Sequence, residues 1–242
     1  MEPPPPPPEL GPNPLADPDP GLLVAAIPNY NLVLKTYSAF PRHFLLCTSE
    51  YVRQSRRLAD EDVVAAYSVL KSWETPAERL FCFFNSTPRS GALYRHRHLN
   101  FYPLPAEQAL MCDILPEDPD PCVRLHPQMP FRCLYIRFGS DPTAAEVADA
   151  YRALLKHVQQ SVGNYRTSYN MGLTKEWMVL APRLHLDGGC LDAEFNGTLF
   201  AGEVVIRREN SWTALRDGGL EETLRRIGLV NRIGKVKGRR GI

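Results

Sequence analysis

Short apolar runs dominate this chain, and two stretches of helical period separate them. Residues 31–37, carrying Leu32, Val33 and Leu34, predict a strand; Pro41 breaks it, and residues 43–47 predict a second. Val63, Ala66, Tyr67, Leu70 and Trp73 or Glu74 then recur on one helical face behind Asp60, a capping residue, and Pro76 stops the helix. Apolar runs at 80–84 and 99–104 predict two more strands, and residues 131–138 another. Thr143-Ala-Ala-Glu146 is a capping box opening a helix that runs to about residue 160, with Val147, Ala150, Leu154, Leu155 and Val158 inward. Residues 168–182 predict a strand pair around a Thr174-Lys175 turn. Residues 196–205 predict another pair around Gly197 and Gly202. Residues 215–227 predict a last helix that Gly228 caps.

Strand, strand, helix, strand, strand is the order of an antiparallel sheet covered by a helix on one face, which makes the fold α+β. Eleven of the 23 prolines fall in residues 1–28, six of them in a row from Pro3 to Pro8, a composition that favours polyproline II and cannot bury a core. Residues 1–20 are therefore expected to form a disordered arm. Residues 105–130, rich in Pro and Asp, read as a linker between two strand-rich halves, an N-terminal part over 21–125 and a C-terminal part over 126–230. Residues 231–242 form a basic tail containing Arg232, Lys235, Lys237, Arg239 and Arg240.

A net charge of +1 directs the chain to neither nucleic acid nor an acidic membrane. No stretch reaches the length of a membrane span, and no charged start leads into an apolar run. Six scattered cysteines without a C-x-x-C pair argue against a zinc framework and for a reducing compartment, the cytoplasm with access to the nucleus.

The chemistry concentrates between the strands at 80–84 and 99–104. His96 and His98, at i and i+2 on an extended segment, are expected to point the same way. Imidazole is a nucleophile that titrates near neutrality. Ser90 and Gly91 allow close approach of the backbone, and Arg89, Arg95 and Arg97 suggest an anionic guest. A strand histidine that only packs is the alternative reading of each imidazole.

The string Asn85-Ser-Thr-Pro-Arg-Ser-Gly-Ala-Leu-Tyr-Arg-His-Arg-His-Leu-Asn100 resembles the His-x-His motif of the histidine-triad superfamily. Within that superfamily it is similar to the fungal diadenosine tetraphosphate phosphorylases, also known as ATP adenylyltransferases. It matches at Asn85, Ser90, Gly91, His96 and His98, and departs at Thr87, Leu93 and Asn100, where the family has Gly, Ser and Gln. Residues 30–50 and 168–183 resemble the same family, although Lys35 stands where it usually has Asn, and Cys133 where it has His.

The resemblance implies a histidine-triad-like antiparallel sheet with flanking helices. It also implies phosphorolysis of diadenosine tetraphosphate to ATP and ADP through a nucleotidyl-histidine, with adenylylsulfate as a side substrate. His98 would be the catalytic nucleophile and His96 its companion. Asn85, Ser90, Gly91 and Asn100 would hold phosphate oxygens. Lys175 would neutralise distal phosphates, or equally stand as a solvent-facing turn lysine. Asn100 reaches about 1.5 Å less far than Gln, and Leu93 offers no hydroxyl. The alternative is therefore a nucleotide-binding member with weakened catalysis. The expected partners are diadenosine polyphosphates, ATP, ADP and inorganic phosphate. No cofactor is required by histidine chemistry, and Mg²⁺ would travel with the nucleotide. Because the second half covers the first, the chain is expected to be a monomer.

Overall fold

The computed structural model describes residues 13–115, 121–163, 167–185 and 193–230. Among the described residues, eleven strands run in chain order: β1 (Leu23–Ile27), β2 (Tyr30–Leu34), β3 (Phe44–Thr48), β4 (Glu78–Asn85), β5 (His98–Pro105), β6 (Arg124–Leu125), β7 (Leu134–Arg137), β8 (Tyr169–Leu173), β9 (Trp177–Pro182), β10 (Ala193–Glu194) and β11 (Val205–Ile206). Four α-helices among the same residues join them: α1 (Asp60–Lys71), α2 (Ala144–Val162), α3 (Glu209–Ala214) and α4 (Leu220–Ile227). Nine strands make one sheet in the order β1-β2-β3-β5-β4-β8-β9-β7-β6, with every pairing antiparallel. The two strand-rich halves are thus one continuous sheet, joined where Asn85 on β4 pairs with Asn170 on β8.

Alternation decides which residue faces where. Leu80, Cys82 and Phe84 on β4, with Leu99 and Phe101 on β5, pack under α1 and α2. Phe81 and Phe83, with Tyr102 and Leu104, face the opposite side, against Phe195, Phe200, Leu215 and Ile227. Both faces are covered, so these central strands read as continuous apolar runs. The first two helices carry the inward faces that their periodicity predicts. Thr143 caps α2 reciprocally with Glu146, and Val147, Ala150, Leu154, Leu155 and Val158 are buried. The α1 cap is displaced from Asp60 to Ala59, whose N–H donates to the Asp62 carboxylate at 2.6 Å.

Several expectations give way. A strand, β1, lies inside the proline-rich region, and a Pro28-Asn29 turn with Asn29 at φ 66° returns it onto β2. Leu15, expected in the disordered arm, is 3% exposed and packs against Val33, Leu45 and Cys47. The expected strand pair at 196–205 is instead a short 3₁₀ turn, Gly197–Ala201, followed by β11, which pairs with β10. The last helix begins at Leu220 rather than Leu215, after a kink with Gly218 at φ 111°. Gly228 does not cap it in the left-handed region: its φ is −128°, and a Cβ there would meet Phe131 at 2.8 Å. Close packing, not turn geometry, requires that glycine. The basic tail, 231–242, and residues 1–12 of the arm lie outside the described residues. No helix among the described residues is long and apolar enough to cross a membrane.

Candidate functional site

The candidate site lies on the sheet face opposite α1 and α2, where β4 and β5 stop pairing. Their ladder runs from Glu78 opposite Pro105 to Phe83 opposite Asn100 and ends there. Beyond that point the buried Gln54 side chain bridges the two strands. Its Oε1 accepts the His98 N–H at 2.8 Å, and its Nε2 donates to the carbonyls of Asn85 at 2.8 Å and His98 at 3.1 Å. His98 is thereby fixed on both backbone groups at the first residue of β5.

His98 is 3% exposed and forms part of the wall of a cleft of about 160 Å³. Its Nδ1–H donates to the His96 carbonyl at 2.8 Å. A carbonyl only accepts, so the proton sits on Nδ1 and the lone pair on Nε2, which has no hydrogen-bond partner among the described residues. Burial pushes the ring's pKa down to about 4, aided by the nearby Lys35 charge and opposed by the bond to His96. The imidazole is therefore neutral at physiological pH, and its lone pair on Nε2 is unbonded among the described residues.

His96 does not share that wall. It precedes the first residue of β5, bridges Arg53, and is fully buried. Its Nδ1 accepts from Asn13 Nδ2 at 3.0 Å, while its Nε2 lies 3.0 Å from Thr48 Oγ1 and 3.2 Å from the Glu50 carbonyl. Its contribution to the cleft is the carbonyl that sets the His98 tautomer. Arg97, between the two histidines, points to the other face of the strand, where it forms a buried ion pair with Asp62. Alternation removes it from any role with an anion in this cleft, and Arg89 and Arg95 do not form part of the wall either.

Asn85, Gly91 and Asn100 are in the wall. Asn85 donates from Nδ2 to the Gly91 carbonyl at 3.1 Å, and its Oδ1 accepts from Asn170 at 2.7 Å and from the Gly197 N–H at 3.0 Å. It therefore ties together β4, the Gly91 loop and the 3₁₀ turn. Gly91 sits at φ 91°, and a Cβ would stand 2.6 Å from Asn196, so the loop needs glycine for both conformation and space. Ser90 is buried behind the wall. Its hydroxyl bonds Thr87 at 2.9 Å and its carbonyl accepts from Asn170 at 2.8 Å, so it shapes the loop rather than facing the cleft.

Asn100 is oriented by a relay that the sequence reading missed. Ser38 Oγ is 2.7 Å from His43 Nδ1, and His43 Nε2 is 3.0 Å from Asn100 Oδ1. Burial, with help from the Lys35 charge, pushes the His43 pKa down to about 3, so its single proton goes to Asn100 Oδ1. The Asn100 amide NH₂ has no hydrogen-bond partner among the described residues, and Asn100 is part of the cleft wall. Nothing but the Pro41-Arg42-His43 string hinted at His43, and Gln54 sits in a polar run without any signal.

Lys175 lies elsewhere. It is in the β8–β9 turn, at the end of the sheet away from the Asn85–Asn170 pair, and donates to the Trp73 carbonyl at 3.0 Å. Trp177 is core, with Nε1 donating to Asp113 at 2.7 Å, and Cys133 is buried in the cluster on the sheet's second face. Among the described residues, the charged ones of the cleft wall are Lys35, Glu194 and Arg207. Among the described residues no group of three or more His, Cys, Asp or Glu is placed to hold a metal ion.

An unprotonated imidazole, an oriented amide and a lysine in one cleft wall are groups that can attack an electrophile and hold an anion. Residues 8–116 match the family model of the Ap4A phosphorylase N-terminal domain, and residues 127–230 that of the ATP adenylyltransferase C-terminal domain. Diadenosine 5',5'''-P1,P4-tetraphosphate phosphorylase 2 of Saccharomyces cerevisiae is 28% identical over 92% of this chain and 78% of its own length. Protein APA1 of the same yeast is 26% identical over 78% of this chain and 64% of its own. The crystal structure of yeast Ap4A phosphorylase Apa2 in complex with AMP superposes with a TM-score of 0.79 at 26% identity, covering 90% of this chain and 82% of that one. The Apa2 structure in complex with Ap4A gives 0.78 at 26% identity, over 91% and 82%. The chain belongs to the Ap4A phosphorylase family of ATP adenylyltransferases.

Proposed function

We propose that the chain phosphorolyses diadenosine tetraphosphate to ATP and ADP, with His98 as the nucleophile. The observation that carries this reading is the lone pair left on Nε2 of His98, a cleft-wall residue, by the Nδ1 bond to the His96 carbonyl. In the first step Nε2 bonds to the α-phosphorus, the bond to the bridging oxygen breaks, and ATP leaves. The positive charge that develops on the ring is stabilised at Nδ1–H by the His96 carbonyl. In the second step inorganic phosphate attacks the same phosphorus, the P–N bond breaks, and ADP leaves with His98 restored. Two displacements replace one difficult transfer. The Asn100 amide and the Asn85–Gly91 loop line the place where phosphate oxygens gather.

Adenylylsulfate fits the same scheme, with sulfate leaving in place of ATP. Mg²⁺ enters in this reading as the nucleotide's counter-ion. The reading is tested by incubating the protein with diadenosine tetraphosphate. Sustained turnover to ATP and ADP is expected only when inorganic phosphate is present; without it no more than one ATP per chain is released. AMP formed without phosphate would make water the acceptor and the protein a hydrolase. Bound dinucleotide without turnover would favour the weakened family member.

We further propose a monomer, because the chain's own C-terminal half covers the second sheet face. Sedimentation is expected to give the mass of one chain, about 27.3 kDa, independent of concentration; a dimer mass would overturn this.

A further inference from the structure

We propose that the Lys35 ammonium is the group that binds substrate phosphate beside His98, an inference that rests on the function proposed above. Lys35 follows the last residue of β2, and its N–H donates to the His43 carbonyl at 2.9 Å, which holds it at the head of β3. Its side chain lines the same cleft as His98, His43 and Asn100. Two other charged residues, Glu194 and Arg207, share the wall, and they bond to each other across β10 and β11, with Arg207 Nε donating to Glu194 at 3.1 Å. That pair is largely self-neutralised. Lys35 makes no ion pair or side-chain hydrogen bond among the described residues, although Glu194 acts on it at longer range.

An ammonium half-withdrawn from water, with no hydrogen-bonded or ion-paired partner among the described residues and in the same wall as His98, is set to receive an anion. Burial lowers its pKa, and its charge in turn disfavours protonation of both His43 and His98. It thus does two things at once: it offers a cation to the phosphate, and it keeps the nucleophile neutral. It also supplies what its neighbours lack. Leu93, at the cleft's edge, is 64% exposed and has no polar atom, and the arginines of the His-x-His segment lie outside the cleft.

The test uses inorganic tripolyphosphate as the probe and the full chain as the protein. Titration calorimetry is expected to show that Lys35→Met weakens tripolyphosphate binding by about tenfold or more, while Lys35→Arg retains it. In the same variant the NMR titration midpoint of the His98 ring moves upward, because one neighbouring positive charge is gone. Neither readout requires turnover. If the wild type fails to turn over dinucleotide yet Lys35→Met loses tripolyphosphate and shifts His98, the reaction is wrong and this assignment stands. If the wild type turns over dinucleotide while Lys35→Met binds tripolyphosphate as tightly as it does, the assignment is overturned. It is equally overturned if the wild type does not bind tripolyphosphate, or if Lys35→Arg loses as much as Lys35→Met.

Discussion

His98→Ala is expected to lower dinucleotide phosphorolysis by about 10⁴-fold or more, the scale on which removing a covalent nucleophile acts, while the fold remains intact. The neighbouring imidazole cannot stand in. His43 has one nitrogen on Ser38 and the other on Asn100, and His96 has both nitrogens bonded behind the wall. Mass spectrometry checks this without steady-state kinetics: with dinucleotide and no phosphate, the wild type gains one adenylyl group and the variant gains none. The pH dependence follows from the same ring. Its pKa is about 4 rather than the ordinary 6.5, so the lone pair persists well below neutrality. The wild-type rate is therefore expected to stay level as pH falls from 8 to about 5 and to drop only below that, as the ring protonates. A midpoint at 6.5 or above would sink the assignment of a buried, neutral nucleophile. Stability moves with the same sign. His43 and His98 have folded pKa values of about 3 and about 4, so the unfolded chain binds protons that the folded one does not. The stability contributed by the neutral rings is present above pH 6.5 and lost as pH falls through the two folded values, on the order of 1.4 kcal/mol per pH unit for each ring.

The order of the central elements was legible because each rests on a local signal. The α2 box at Thr143 and Glu146, the proline stop after α1, and the apolar runs of β4 and β5 all act within a few residues. That His98 lies in the wall of a cleft was foreshadowed by its motif. What escaped depends on contacts far apart in the chain. Gln54 acquires its role from the parting of β4 and β5, more than thirty residues downstream, and no polar residue in Arg53-Gln-Ser-Arg-Arg57 announces such a role. The arginines flanking His98 suggested an anion site by proximity in sequence, whereas a strand sends neighbours to opposite faces, so Arg97 belongs to the helices. Lys175 matched a motif whose location on the sheet is at the other end. Leu15 and β1 were hidden by proline content, which speaks of chain stiffness and not of whether a later apolar residue docks.

Arg97→Met is expected to destabilise the fold by about 3–5 kcal/mol, the cost of leaving one partner of a buried ion pair uncompensated, and to lower the melting temperature by roughly 10 °C for a chain of this size. Arg97 and Asp62 have side chains only 6% and 3% exposed, and their nitrogen and oxygen lie 2.6 Å apart. The Arg97 guanidinium also donates to the Arg57 carbonyl at 2.6 Å, while Asp62 accepts from the Tyr30 hydroxyl at 2.9 Å and from the Ala59 N–H at the start of α1. One charge pair thus fastens α1, β2 and the polar run after β3 to the strand that carries His98. The second variant separates charge from contact. Asp62→Asn on the Arg97→Met background removes the stranded carboxylate and keeps an oxygen for Ala59, so it is expected to recover a substantial part of the loss. Equal stability of the single and double variants would show that lost packing, not the buried charge, is responsible; a loss below about 1 kcal/mol would place the pair among weak surface bridges. Because Arg97 is bonded between His96 and His98, the single variant is also expected to lose phosphorolysis before it unfolds, as the carbonyl that fixes the His98 tautomer shifts with its strand.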